Sequence, residues 1–239
     1  MPGPSYAVLD EALERLAPYD IDLVNGNANH APMVAEALCA VDRPDAALPW
    51  IEDYRPRLVP RSLPAHRIER EQWQTALGRR HSFAAWCGFF AEELDAASWR
   101  EVLDRWASRL APGLSGAATH GVIRAGHAAR GLAEAETRAR LRELADALAS
   151  WAATYSELPG TPPWMPGRMS PREAIRALPV YPPERRRPGN ITAALERLAE
   201  FPEFVPTIGL IDAAGDLDTL IAELGDIFAR VYLANVTTH

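Results

Sequence analysis

Thr119-His120-Gly121-Val122-Ile123-Arg124-Ala125-Gly126-His127-Ala128-Ala129-Arg130 decides how this chain folds. Small and apolar residues dominate it and no proline interrupts it, so it predicts a helix. At about 100° per residue, seven residues turn roughly 700°, within about 20° of two full turns. His120 and His127 therefore share one helix face. Gly116, Ile123 and Gly131 fall close to the same direction, so few large side chains sit beside the imidazoles. Arg124 lies about 40° off that line. Two imidazoles and a guanidinium over small neighbours suggest the wall of a site.

The spacing leaves two arrangements open. Seven residues rise about 10.5 Å at about 1.5 Å each, whereas the familiar helical metal pair is i, i+4. To share an ion at i, i+7, both rings must lean together. Two partly buried histidines, each hydrogen-bonded to a neighbouring helix, satisfy the same spacing with less demand.

Helical signals extend on both sides. Val8, Leu9, Leu13 and Leu16 are helically spaced within Tyr6 to Leu16, and a polar loop from Asp20 to Asn29 follows. Asn29 is placed to cap a helix from His30 to about Val41, with Pro32 in its first turn. His30 then sits at a helix N-terminus, where the dipole disfavours a charged ring. A neutral imidazole is the form a metal takes; a surface loop histidine is the alternative. Short helices are expected over Asp45 to Tyr54 and Arg70 to Leu77, joined by a connection with Pro56, Pro60 and Pro64. His66 and His81 read as solvated.

Two further helices are expected at Phe83 to Leu94 and Trp99 to Leu110, the second opened by a Ser98/Glu101 capping box. Trp99, Val102, Leu103 and Trp106 form its core stripe. Glu136 to Tyr155 continues the helical pattern after the His120 helix. Pro159 to Pro188 is an irregular proline-rich segment, a surface connection or a lid, broken by a capping box at Ser170 and Glu173. Thr192 to Glu200 is a short helix, and Val205 to Ile211 a strand or extended loop. Asp216 caps a last helix whose apolar stripe runs from Leu217 through Phe228 and Tyr232, with His239 about 20° from both. The fold expected is all-α, one multi-helix domain over 1–239 with a proline-rich irregular segment. A stripe that runs to the last residue implies a missing C-terminal part and an exposed apolar patch around Phe228, Tyr232 and His239.

Composition narrows the function. The 239 residues are 48% hydrophobic and 24% charged, which is ordinary for a globular chain. A net charge of −7 argues against nucleic acid as a partner. No apolar run approaches bilayer length and no signal peptide opens the chain, so a cytoplasmic protein is expected. Cys39 and Cys87 read as free, buried thiols. There is no lysine, which removes Schiff-base chemistry and the P-loop. Dinucleotide and nucleophile-elbow glycine motifs are also missing.

Three blocks in order carry a resemblance. They are Asn29-His30-Ala31-Pro32-Met33-Val34-Ala35-Glu36-Ala37-Leu38, then His120-Gly121-Val122-Ile123-Arg124-Ala125-Gly126-His127-Ala128, then Glu143-Leu144-Ala145 with Trp151-Ala152-Ala153-Thr154-Tyr155. Together they resemble the questin oxidase-like family. That resemblance implies an all-helical oxidoreductase acting on anthraquinones and related aromatic polyketides. The chemistry implied is Baeyer–Villiger-type or ring-cleaving oxygenation, monooxygenase or dioxygenase in kind, with NADPH used by some members. It also implies non-haem iron on a histidine-rich ligand set, here His30, His120, His127 and His239. Arg124 becomes the anion or phenolate partner, and Trp151 with Tyr155 an aromatic wall or, alternatively, core. A ligand built on a modified lysine cannot come from this chain. The competing class is a non-catalytic helical protein that binds a small aromatic molecule, or a relative without metal.

Overall fold

A computed structural model describes residues 6–160 and 167–236. They fall into two compact units, 1–157 and 158–239. Among the described residues there are ten α-helices and one sheet of two short strands, so the fold is all-α.

The first unit contains α1 (Leu9–Leu16), α2 (Ala31–Ala40), α3 (Ala47–Tyr54), α4 (Phe83–Ala96), α5 (Trp99–Leu110), α6 (His120–Glu134) and α7 (Arg138–Ala153). Thirteen of the sixteen residues of α7 are buried. A helix buried all round must be lined by neighbours on every side. Its alanines at 139, 145, 147, 149, 152 and 153 keep it thin, and α4 and α6 both pack on it. The main core is aromatic: Trp86 stacks on Phe90 at 5.5 Å, and Trp106 meets Phe89 and Phe90 edge-on at 5.3 and 5.0 Å. A second cluster joins Leu9, Leu13, Leu16, Ala35, Cys39 and Ile51. The capping box at Ser98 and Glu101 forms as the sequence predicts.

Strands β1 (Tyr19–Leu23) and β2 (Leu58–Pro60) pair antiparallel, with Leu23 opposite Leu58. The polar-loop expectation for Asp20 to Asn29 is corrected here. Tyr19, Ile21 and Leu23 alternate with Asp20 and Asp22, a period of two that marks a strand, and Ile21 and Leu23 face the core. The helix expected over Arg70 to Leu77 shrinks to a 3₁₀ turn, Trp73–Ala76. Gly78, at a left-handed φ of 70°, donates its N–H to the Ala152 carbonyl at 2.9 Å and draws the chain onto the end of α7.

The second unit holds α8 (Pro171–Ala177), α9 (Ile191–Glu196) and α10 (Leu217–Asn235). Ser170 and Asp216 cap α8 and α10 as expected. Val205 to Ile211 is not a strand: Val205–Thr207 is a 3₁₀ turn, and Ile211 makes one isolated bridge to Met169. Pro206 removes a ladder donor and fixes φ. Of α10, Ile227 alone is buried, whereas Phe228 and Tyr232 are 58% and 66% exposed. The exposed apolar patch expected at Phe228 and Tyr232 is therefore present. His239 and part of the proline-rich segment, 161–166, lie outside the described residues. Among the described residues no helix is long and apolar enough to cross a membrane.

The glycines of α6 separate packing from propensity. A Cβ on Gly121 would stand 2.5 Å from the Trp151 Cα, whereas one on Gly126 would meet nothing within 4 Å. Gly121→Ala should therefore destabilise the protein by about 1–3 kcal/mol through overpacking. Gly126→Ala should stabilise it by about 0.5–1 kcal/mol through helix propensity. Urea unfolding of both variants checks the pair; equal effects would contradict the close approach of α6 and α7.

Candidate functional site

His120 is the first residue of α6, and the backbone before it is unusual. Ala117, Ala118 and Thr119 have φ of 46°, 53° and 69°. Left-handed backbone is disfavoured for residues with a Cβ, so three in a row must be imposed by the surroundings. Gly116 supplies one cause: a Cβ there would fall 1.9 Å from the Thr154 carbonyl oxygen, so the chain crosses directly over the end of α7. The turn brings the Ala117 carbonyl against the His120 ring, where it accepts from Nδ1. A proton held on Nδ1 leaves Nε2 as a lone pair.

That Nε2 lies 2.8 Å from Nε2 of His30, with the rings nearly perpendicular at 79° and their centroids 4.7 Å apart. His30 stands at the start of α2. Its side chain makes no capping bond, and Asn29 instead accepts the Ala31 N–H through Oδ1 at 2.9 Å. Partial burial, then the neighbouring His120, hold the His30 pKa below its ordinary value, against a backbone hydrogen bond at Ala28. Both rings also sit at helix N-termini, which disfavour added positive charge.

Two imidazoles with converging Nε2 atoms can share one proton or meet a cation. Adjacent nitrogen ligands at about 2.1 Å from a metal and at right angles stand about 3 Å apart. The observed separation is close to that, so the pair fits two neighbouring positions on a metal ion. Among the described residues, no group of three or more His, Cys, Asp or Glu side chains is gathered for a metal.

His127 takes a separate partner. Its Nδ1 bonds Glu36 Oε2 at 2.6 Å. Glu36 is 3% exposed and also accepts from Tyr6 Oη and from Arg130 Nε, each at 2.6 Å. Burial alone would raise the Glu36 pKa, but bonds from His127, Arg130 and Tyr6 bring it down to about 2. The Tyr6 hydroxyl, buried and bonded to that carboxylate, is pushed up to about 12. The cavity beside Glu36 and His127 measures about 10 Å³, room for roughly one water.

Arg124 is placed differently from its expected role as an anion partner. It is buried between α6 and α7 and donates Nε and Nη2 to the two Glu143 oxygens at 2.7 and 2.8 Å. Burial alone would lower its pKa; attraction to Glu143 more than offsets that and raises it. Its Nε and Nη2 are taken by an internal carboxylate. Arg61 pairs likewise with Asp146 on α7.

The structure thus brings His30 and His120 together, holds His127 on Glu36, and ties Arg124 to Glu143. His239 is outside the described residues, and His66 and His81 are exposed. Trp151 belongs to the main core, with Tyr155 packed against it. The glycines beside the imidazoles are points of close packing: Gly131 faces Leu9 and Gly116 faces Thr154. Glu36, Glu143 and Asp146 are the buried carboxylates that no local pattern singles out.

The fold and site define a class: an all-helical protein presenting two converging imidazoles at adjoining helix starts, beside buried ion pairs. A family model, Questin oxidase-like, matches residues 29–218. The chain belongs to that family. The matched span includes His30, Glu36, His120, Arg124 and His127. The family name points to an oxidoreductase acting on anthraquinone-like substrates. No curated protein and no solved structure matches the chain.

Glu36 makes stability depend on pH. A lowered folded-state pKa means that its contribution is present above the ordinary value of 4.5 and lost as pH falls toward about 2. Glu36→Gln in chelator-treated protein should cost about 1–3 kcal/mol near neutrality, because the buried acceptor shared by Tyr6, His127 and Arg130 loses its charge. The gap to the parent should narrow as pH drops below 4.5. Thermal unfolding across that range checks this, and a constant gap would refute it.

Proposed function

We propose that this protein carries out oxygen-dependent oxidation of a polycyclic aromatic, anthraquinone-like substrate at a metal ion held by His30 and His120. The observation that carries the proposal is the 2.8 Å approach of the two Nε2 atoms with His120 Nδ1 already engaged. His127 and His239 are the further ligands proposed. Glu36 occupies Nδ1 of His127, so Nε2 is the atom available, as in carboxylate–histidine–metal arrangements.

Imidazole suits iron, copper, zinc and nickel alike, and kinship with the family favours non-haem iron. When bound, the metal supplies the oxygen chemistry that ordinary side chains do not perform. A monooxygenase outcome, Baeyer–Villiger in type, needs two electrons beyond the substrate, for which NADPH is the proposed source; a ring-cleaving dioxygenase needs none.

The chain's own groups hold and orient. The Ala117 carbonyl keeps the proton of His120 on Nδ1, so Nε2 stays a donor to the metal. Glu36 keeps His127 in the matching tautomer, with Arg130 and Tyr6 fixing the carboxylate. Arg124 acts at one remove, by locking α6 to α7 through Glu143. The partner proposed is a small aromatic substrate in the cytoplasm, and the acidic net charge supports no role for nucleic acid.

A second reading is a metal-free helical protein that binds an aromatic molecule. It is favoured by one observation: the described residues gather a pair of histidines and no third ligand. The two readings part on metal content. Purified protein loaded with Fe(II) should hold about one ion per chain. His30→Ala and His120→Ala should each weaken metal binding by more than about tenfold and remove oxygen uptake with an anthraquinone, while circular dichroism stays unchanged. Protein that takes no iron, or variants that bind it as the parent does, would leave the second reading standing.

A further inference from the structure

A second cavity, of about 350 Å³, opens where α4 and α5 meet the Trp73–Ala76 turn. That is within the range of small-molecule sites. Its charge is out of keeping with the chain. Arg70, Arg105 and Arg109 line it against a single carboxylate, Glu93, so it carries two excess positive charges in a protein of net charge −7.

Glu93 is buried and already committed. One of its oxygens accepts from Arg70, and the other from Arg105 Nη2 at 2.7 Å and Trp106 Nε1 at 2.9 Å. Glu101, which also feels Arg105, is engaged in the cap with Ser98. Arg109 makes no ion pair among the described residues; it lies 5.6 Å from the centroid of Trp73 and 4.8 Å from that of Trp106. Arg105 Nε is buried and has no hydrogen-bond partner. An unmet buried donor costs free energy that a ligand oxygen would recover. The wall behind these cations is aromatic, with Trp73, Trp106 and Phe89.

We propose that this cavity binds a planar aromatic anion, with its anionic group on Arg105 and Arg109 and its ring against Trp73. Guanidinium groups pair with phosphate and carboxylate, and aromatic faces accept a stacked ring. A nucleotide and an aromatic carboxylic acid share this chemistry. The site stands apart from the proposed metal centre: none of its lining residues is a histidine.

Calorimetric titration of the full chain with AMP, with anthraquinone-2-carboxylate and with inorganic phosphate tests it. One of the two aromatic anions should bind saturably, one per chain, with affinity that falls as salt is raised; which of them does so separates a nucleotide from an aromatic acid. Arg109→Ala, at an exposed side chain free of ion pairs, should weaken that binding by at least about tenfold. Trp73→Leu should weaken it as well, with helix content unchanged for both. His120→Ala should leave it untouched, so failure of the metal proposal does not carry over. The proposal is overturned if neither aromatic anion saturates or if phosphate alone binds as tightly. It is equally overturned if Arg109→Ala changes nothing, or if His120→Ala abolishes binding.

Discussion

The bidentate pair of Arg124 and Glu143 sits in the seam between α6 and α7, and the rest of the first unit is arranged around it. A guanidinium and a carboxylate this deeply buried tolerate few geometries, because losing one partner leaves an uncompensated charge in the interior. The pair therefore specifies one register for the two helices. That register lets Gly121 lie against the Trp151 backbone and carries the chain over Thr154 at Gly116. The left-handed turn at Ala117 to Thr119 follows, and with it the bond that sets the His120 ring.

Three of the buried polar sets in this unit involve α6 or α7: Glu36 with Tyr6, His127 and Arg130; Arg124 with Glu143; Arg61 with Asp146. In each, a helix carboxylate facing the interior is matched by cations from another element. Such pairs add little net stability compared with apolar packing, but they discriminate strongly between correct and shifted packings. An interior made mainly of alanine has smooth surfaces along which helices could slide, and discriminating contacts of this kind oppose that.

The same arrangement controls imidazole chemistry. His120 and His127 lie two turns apart on α6, yet each has its Nδ1 tied to an oxygen that belongs to the fold, Ala117 for one and Glu36 for the other. A ring fixed at Nδ1 offers Nε2 in a known direction and a known protonation state. His30 meets His120 because α2 and α6 start side by side, which places two helix N-termini, and two imidazole rings, at one spot.

The all-helical class was legible in the periodicity of the sequence, as were the caps at Ser98, Ser170 and Asp216, because a helix leaves a local signature within a few residues of itself. The shared face of His120 and His127 was legible for the same reason. Pairing across the chain was not. His30 and His120 are 90 residues apart, and no local pattern announces that their helices begin together. Arg124 on α6 looked free because its partner lies on another helix. The apolar stripe of α10 was legible as a face, but periodicity does not record what covers it. The alternation of Tyr19, Ile21 and Leu23 with two aspartates did mark β1, whereas its partner β2, three residues long, was too short to show a period. What the sequence determined by itself is everything that short-range hydrogen bonding and side-chain spacing control. Which charges pair, which glycines are crossed by a neighbour and which imidazoles meet were decided only by tertiary packing, because those depend on the distance between helices.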